Sequence, residues 1–163
     1  IFLITSLLFL RPIIIKTINI FLVPITSIST WFNLNFLGIK FNLTDNILYQ
    51  NSSGIIIEDG CSGASSIVYC LTIALIISII FSTNNSTYKF IFYLISIIIG
   101  FVENVIRLSI LAYLASINND RSIILFNFFH YSFGSWIFPL LSTLLIIYLY
   151  ILILESKHLK NYE

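Results

Sequence analysis

The stretch EDGCSGASSIVYCLTIALIISIIFS, Glu58 to Ser82, changes from polar to apolar within its first ten residues. Its apolar part, within residues 61–82, is long enough to cross a membrane, because a span needs about 20 mostly apolar residues. Cys61 stands at the boundary between the two parts, and the chain contains only one other cysteine, Cys70. The stretch therefore predicts a membrane helix that carries a thiol at its polar end.

The composition of the whole chain is typical of an integral membrane protein. Of the 163 residues, 58% are hydrophobic and only 9% are charged, whereas a soluble domain carries about 25% charged residues. The length predicts a single transmembrane domain over residues 1–163. The net charge of +1 gives no basic surface, so we expect the lipid bilayer as a partner and no nucleic acid. Because the sequence begins with Ile1 and not with methionine, we expect an incomplete N-terminus.

The apolar segments predict an all-α fold, a polytopic transmembrane helical bundle with about four to five spans. Residues 1–10 are apolar but short, and we expect them to be the end of a further span that is broken at Arg11-Pro12. The spans expected within the remaining chain are residues 13–32, 61–82, 88–117 and 133–154.

Two segments do not fit a straight membrane crossing. Residues 33–60 are polar and predict a loop, with a short strand near Ile55-Ile56-Ile57. Residues 122–154 would reach about 50 Å as one helix. We therefore expect a break near His130 or Gly134, with the last crossing beyond it.

The distribution of Lys and Arg predicts the orientation in the membrane, because these residues are more frequent in cytoplasmic loops. A cytoplasmic tail at residues 155–163 places the 33–60 loop and the turn at 118–121 outside. The inner side then holds five basic residues, Arg11, Lys16, Lys89, Lys157 and Lys160, and the outer side holds two, Lys40 and Arg121. This bias favours the arrangement.

In this topology three chemically reactive residues share one depth at the outer membrane face. Cys61 opens its span from the outer side, and His130 follows the outer turn. Arg107 lies about 27 Å along a helix that starts inside, which brings it near the outer boundary. The topology was assigned without using these residues, so their convergence indicates a candidate active site at the outer face.

Each of the three residues also has a structural interpretation. Cys61 at a helix N-terminus would feel a dipole that favours the thiolate, or it is only a small apolar residue there. Placing the charge of Arg107 within a span costs free energy, which indicates a function. The structural interpretation is that Arg107 forms an ion pair with Glu103, four residues earlier, and that this pair orders the bundle. His130 is a catalyst or a structural residue. Cys70 lies deeper in apolar sequence and is expected to pack. The acids do not cluster with histidine, so neither a metal site nor another cofactor is expected.

Three short motifs carry a resemblance to a known family. The ordered set CSG at 61–63, NVIR at 104–107 and HYSFG at 130–134 resembles the exosortase/archaeosortase family of polytopic membrane cysteine transpeptidases. The family commonly reads C-S-G-L-R-S-L at the first motif, whereas Ala64 and Ser65 replace its Leu-Arg here. The resemblance implies that Cys61 is the nucleophile, Arg107 the stabiliser and His130 the acid/base. The residues expected to support them are Ser62, Gly63, Glu103, Asn104 and Gly134.

The resemblance also implies an activity and a substrate class. A thiolate would attack a peptide carbonyl to give a thioacyl enzyme, which an amine or water then resolves. The substrate would be a membrane-anchored exported protein with a C-terminal sorting signal, processed at the outer face of the cytoplasmic membrane. Two other functions remain alternatives. One is a non-catalytic transporter or assembly subunit with a structural Glu103–Arg107 pair, and the other is a membrane acyltransferase that carries a lipid on the thiol.

Overall fold

The computed structural model describes residues 2–51, 53–81 and 86–160, and these residues form five α-helices. Within the same ranges four helical segments are long and apolar enough to cross a membrane, namely Lys16–Phe36, Asp59–Ile80, Ser86–Ile117 and Gly134–Leu152. The predicted fold class, an all-α polytopic helical bundle, is confirmed. The helices are α1 (Phe2–Phe36), α2 (Ala64–Ile80), α3 (Ser86–Ile117), α4 (Asp120–Tyr131) and α5 (Gly134–Lys160).

Helix α1 is continuous, and the break expected at Arg11-Pro12 does not occur. Its 35 residues reach about 52 Å, which exceeds the roughly 30 Å of a hydrocarbon core. Proline removes only one backbone donor from a helix. An apolar segment in lipid has to satisfy every other backbone group internally, which favours continuing the helix on both sides of the proline.

The segment expected to be a loop contains a small antiparallel sheet of three strands, in the order β1-β2-β3. The strands are β1 (Asn42–Thr44), β2 (Ile47–Gln50) and β3 (Ser53–Ile56). The two turns contain Asp45 with φ 54° and Asn51 with φ 56°. Asn and Asp tolerate this left-handed conformation better than most residues, so the polar composition that suggested a loop also supplies the turns.

One face of the sheet packs on the bundle. Leu48 of β2 and Ile57, just after β3, are buried together with Leu34 of α1 and with Leu108 and Leu111 of α3. This apolar contact fixes the sheet above the ends of α1 and α3. As a result, β3 lies beside the segment that leads into Cys61.

Helices α2, α3 and α5 share a second core. A Cβ atom on Gly100 of α3 would lie 2.8 Å from the Cα of Ile67 on α2, so only glycine allows this close approach. Cys70 is fully buried in this core beside Phe92 and Ile146. The packing role expected for Cys70 is confirmed.

Helix α4 is a separate short helix, so the chain breaks between its end and Gly134, where the sequence predicts a break. Its 12 residues reach about 18 Å, too short to cross a membrane. Asn119 caps its start by accepting a hydrogen bond from the backbone N–H of Ser122 at 2.8 Å. Ser132 and Phe133 form the bend into α5. Residues 155–160 of the expected tail continue α5, whereas residues 161–163, and residues 82–85 between α2 and α3, lie outside the described residues.

Candidate functional site

Cys61 lies in a 3₁₀ turn, Asp59–Cys61, and α2 begins only three residues later at Ala64. Its backbone N–H donates to the carbonyl of Glu58 at 2.8 Å. The side-chain amide of Asn104 on α3 donates to the carbonyl of Cys61 at 2.9 Å. Cys61 therefore precedes the helix and does not occupy its first turn. Its position is set by the turn and by α3.

The polar face of α1 holds the same turn from the other side. Asn19 donates to the carbonyl of Asp59 at 3.2 Å and accepts from the hydroxyl of Ser62 at 2.6 Å. Thr26, two helical turns along α1, donates to the carbonyl of Ser62 at 2.7 Å. All three side chains are buried or nearly so. Hydrogen bonds among buried groups fix geometry well because breaking one leaves a polar group unsatisfied.

Sequence reasoning identified Ser62 but missed Asn19 and Thr26. A signal was present, because the polar residues Asn19, Thr26, Ser27 and Thr30 recur at helical spacing within an otherwise apolar segment. Polar residues on one stripe of a membrane helix face protein and not lipid. All four are buried in the structure.

Gly63 allows α2 to begin directly against α3. Its φ is 91°, in the left-handed region that favours glycine. A Cβ atom at this position would lie 2.9 Å from the Nδ2 atom of Asn104. The predicted supporting residues Gly63 and Asn104 are therefore in contact, and both position Cys61.

Arg107 lies one helical turn beyond Asn104, and its charge is close enough to act on both Cys61 and His130. Its Nε atom is buried and has no hydrogen-bond partner among the described residues. A buried charged donor without a partner is costly. This arginine is therefore held in position by its helix and not by a partner of its own.

His130 is placed by aromatic rings near the end of α4. Its imidazole stacks on Phe126 with ring centroids 5.4 Å apart, and the ring of Tyr131 contacts it edge-on at 4.0 Å. Burial, and next the positive charge of Arg107, lower the pKa of His130 below its ordinary value of 6.5. Both effects disfavour the imidazolium and favour the neutral imidazole. Its Nδ1 atom is buried without a hydrogen-bond partner in the described part of the chain.

Two adjoining cavities bring the three predicted catalytic residues together. One, of about 380 Å³, is lined by Cys61 and His130. The other, of about 290 Å³, is lined by Arg107 and His130. His130 contributes to both cavities, so the histidine stands between the cavity of Cys61 and the cavity of Arg107. Ser65, which stands where the resembling family commonly has arginine, lines the second cavity.

Glu103 has a different partner from the one that its spacing suggested. Its carboxylate accepts a hydrogen bond from the hydroxyl of Ser142 on α5 at 3.1 Å. Within residues 86–152, which include both side chains, Ser142 is the hydrogen-bond partner of Glu103, and the charge of Arg107 is still close enough to act on this carboxylate. Glu103 therefore links α3 to α5 and also interacts with Arg107 through its charge.

Gly134 supports the bend that separates α4 from α5. A Cβ atom there would lie 2.6 Å from the ring of Phe128. Any larger residue would push α4 away from α5 and would move His130. Gly134 thus acts on the site through the backbone that carries the histidine.

The described residues contain no group of three His, Cys, Asp or Glu side chains that could hold a metal ion. The thiol, the imidazole and the guanidinium are among the groups that line the two cavities, together with the carboxylate of Glu58.

Comparison with known proteins gives one match. No curated protein and no solved structure is significantly similar to the chain. Residues 1–148 match the family model for transmembrane exosortase. The matched range includes the whole of α1 to α4 and more than half of α5, among the described residues. It also includes all of the predicted site residues. With most of its length matched, the chain belongs to the transmembrane exosortase family.

Proposed function

We propose that this protein is a membrane-embedded cysteine transpeptidase in which Cys61 is the nucleophile, His130 the general acid and base, and Arg107 the stabilising cation. One observation carries the proposal. Two buried side-chain nitrogens lack a hydrogen-bond partner within the described ranges, Arg107 Nε and His130 Nδ1. His130 lines the cavity of Cys61, and Arg107 lines the second cavity, to which His130 also contributes. Buried polar groups in folded proteins almost always have partners, so a substrate group that reached these two nitrogens would satisfy them.

The first half of the reaction follows from the charge states of the site. The neutral imidazole of His130 accepts the proton of the Cys61 thiol. The thiolate attacks the carbonyl carbon of a peptide bond, and the carbonyl electron pair moves onto oxygen, where the guanidinium of Arg107 stabilises it. The imidazolium then gives its proton to the leaving amine as the C–N bond breaks. The product is a thioester on Cys61.

The second half reverses these roles. An acceptor amine or a water molecule enters, and the neutral imidazole of His130 takes its proton as it attacks the thioester carbonyl. Arg107 again stabilises the oxyanion. The thiolate of Cys61 leaves and is reprotonated, so the enzyme is restored and the acyl group is transferred to the amine or released to water.

The position of the site suggests the substrate class. Arg107 lies ten residues before the end of α3, a helix of 32 residues, or about 15 Å from that end. A hydrocarbon core of about 30 Å centred on α3 leaves about 9 Å of the helix outside at each end, which places Arg107 about 6 Å inside one membrane boundary. A substrate with its own membrane helix would have its cleavage point held at this depth. We infer a membrane-anchored protein with a C-terminal sorting signal. By the distribution of Lys and Arg, the site faces outward from the cytoplasmic membrane.

Substitution of the two cysteines tests the proposal. The substrate is a co-expressed protein that ends in a short motif, an apolar helix and a basic cluster. We expect Cys61→Ser to abolish its processing at normal abundance of the enzyme, and Cys70→Ser, the matched control, to retain processing. Mass spectrometry of trapped enzyme should find a peptide on Cys61. Processing by Cys61→Ser would refute the proposal, and a lipid on the thiol would favour the acyltransferase.

A further inference from the structure

Strand β3 has a free edge. It is the last strand of the sheet, and among the described residues only β2 pairs with it. The N–H of Ile57 donates to the carbonyl of Asn46 at 2.9 Å, which makes these residues a hydrogen-bonded pair. In an antiparallel ladder, hydrogen-bonded and non-bonded pairs alternate. Gly54 and Ile56, which oppose Tyr49 and Ile47, therefore direct their backbone N–H and C=O groups away from β2.

A groove runs along this free edge. Two cavities of about 410 and 380 Å³ share Gly54 and Phe126. In both cavities β3 forms one wall, α4 forms the other and α3 contributes residues between them. One end of the groove lies at Ser53 and Asn118, and the other end lies at Cys61. The unpaired backbone groups of β3 therefore border a groove that leads to the thiol.

We propose that the edge of β3 is the peptide-binding strand of the enzyme. An extended segment of the substrate pairs with β3, so that its amides bond to the carbonyls of Gly54 and Ile56 and its carbonyls accept from their N–H groups. Addition of a strand to a free sheet edge is a common mode of peptide recognition. The inference rests on the proposed function, because the paired segment delivers its carbonyl carbon to Cys61.

The surface of β3 fits this role. Free edge strands are usually protected by charged residues, by proline or by a covering element. The strand has the sequence SGII, without charge or proline, and the side chain of Ile56 is 59% exposed. The four residues of β3 span about 13 Å, so this unprotected edge can pair with an extended polypeptide segment of similar length.

The topology also sets the direction of the substrate. The groove begins near Leu114 and Ala115, close to the end of α3, and ends at the depth of Leu108 beside Cys61. A substrate anchored by a C-terminal membrane helix enters from the outer end and continues into the bilayer. Its chain therefore runs parallel to β3, and the residues before the cleaved bond are those that pair.

A defined peptide probe tests the pairing without knowledge of the natural sequence. The probe is acetyl-tetraalanine chloromethyl ketone, whose methylene carbon is attacked by the thiolate with loss of chloride to give a thioether. The enzyme is the full chain with Cys70→Ser, and alkylation of Cys61 is followed by mass spectrometry. Chloroacetone serves as the small control reagent. After correction for the reactivity of each reagent with glutathione, we expect the peptide probe to react about tenfold faster or more.

N-methylation of the probe distinguishes strand pairing from general apolar binding. Two analogues carry methyl groups on alternate amides, one on the first and third alanine and the other on the second and fourth. Because alternate amides of a paired strand point toward its partner, one analogue should lose the whole advantage over chloroacetone and the other should retain most of it. Equal rates for the two analogues would overturn the proposal.

Proline substitution tests the same contact from the enzyme side. Ile56→Pro removes an N–H that points into the groove, and we expect the ratio of peptide to chloroacetone rates to fall about tenfold. The matched control is Leu43→Pro on β1, which removes an outward N–H from the opposite edge of the sheet and should leave the ratio unchanged. A ratio that falls equally in both variants, or in neither, would contradict the assignment.

The outcomes separate this inference from the proposed function. If chloroacetone and the peptide probe alkylate Cys61 equally fast, the β3 inference is wrong while the nucleophile remains. If neither reagent alkylates Cys61, both are wrong. A second copy of the chain is the other possible occupant of the edge. An Ile56→Cys variant that lacks Cys61 and Cys70 and that forms a disulfide-linked dimer in bilayers would refute a peptide-binding role.

Discussion

Replacement of Gly63 by alanine should disable the site through the backbone, without changing any reacting group. The φ of 91° at Gly63 costs a residue with a Cβ atom about 1–2 kcal/mol. The new methyl group would also lie 2.9 Å from Asn104 Nδ2, so this amide has to move. That movement breaks its bond to the Cys61 carbonyl, and an unpaired buried carbonyl costs about 1–3 kcal/mol. The two effects together lower the free energy of unfolding by about 2–5 kcal/mol.

The effect on activity should be larger than the effect on stability suggests. A displacement of about 1 Å at a reacting centre can lower a rate about 100-fold, and we expect Gly63→Ala to lose activity on this scale. Processing of the co-expressed substrate is measured beside thermal stability in detergent. Gly60→Ala is the matched control, because Gly60 is the neighbouring glycine before Cys61, has no positive φ, and has no atom near an added Cβ.

A double variant isolates the contact with Asn104. If the collision matters, Gly63→Ala should cost less stability in an Asn104→Ala background, where only the backbone strain remains. Equal stability and activity of Gly63→Ala and Gly60→Ala would refute the reasoning. An additive double variant would show that strain alone accounts for the loss of stability.

A membrane-impermeant maleimide added from outside should label Cys61 and spare Cys70, which is fully buried in the core of α2, α3 and α5; labelling of Cys70 alone would contradict the topology. Arg107→Lys should lose nearly as much activity as Arg107→Ala, because lysine keeps the charge but lacks the planar fork; retained activity in the lysine variant would reduce the role of Arg107 to charge alone. His130→Ala should slow processing about 10²- to 10⁴-fold while uncleaved substrate still co-purifies, and loss of both together would make His130 structural. Because the pKa of His130 is lowered, the folded state binds a proton at this residue less readily than the unfolded state does. The free energy of unfolding of the wild type should therefore fall as the pH drops below 6.5. In thermal melts over pH 5–7, His130→Gln should lose less stability than the wild type, because it lacks the contribution of this residue.

The sequence predicted the number and nature of the helices well, because hydrophobic length alone sets what can span a bilayer. It also identified Cys61, Arg107 and His130 as a group, since the topology placed them at one depth. In the structure Cys61 and His130 line one cavity, and Arg107 and His130 line another; their common role as a catalytic site stays a prediction. The burial of Cys70 followed from its apolar surroundings in the sequence.

Of the small sheet, the sequence predicted only the short strand near Ile55, which is β3. It did not predict β1 and β2, because strands of three or four residues are too short to give a clear alternating pattern. The positions of the turns at Asp45 and Asn51 could not be predicted, because the whole segment is rich in turn-forming residues. The strands are stable only because their apolar side chains pack on α1 and α3, and isolated strands of this length would not pair in water.

Spacing along the sequence by itself determined which residues share a helix face, and the fold decided which partner each of them has. Glu103 and Arg107 are four residues apart, which predicts neighbours on α3. The carboxylate instead bonds to Ser142 of α5. The buried Nε of Arg107 has no hydrogen-bond partner in the described part of the chain, and its charge acts on both Glu103 and Cys61. Likewise, only the packing of α1 against the Cys61 turn gives Asn19 and Thr26 their role. Periodicity is a local property of one helix, whereas a hydrogen bond across helices depends on how several of them pack together.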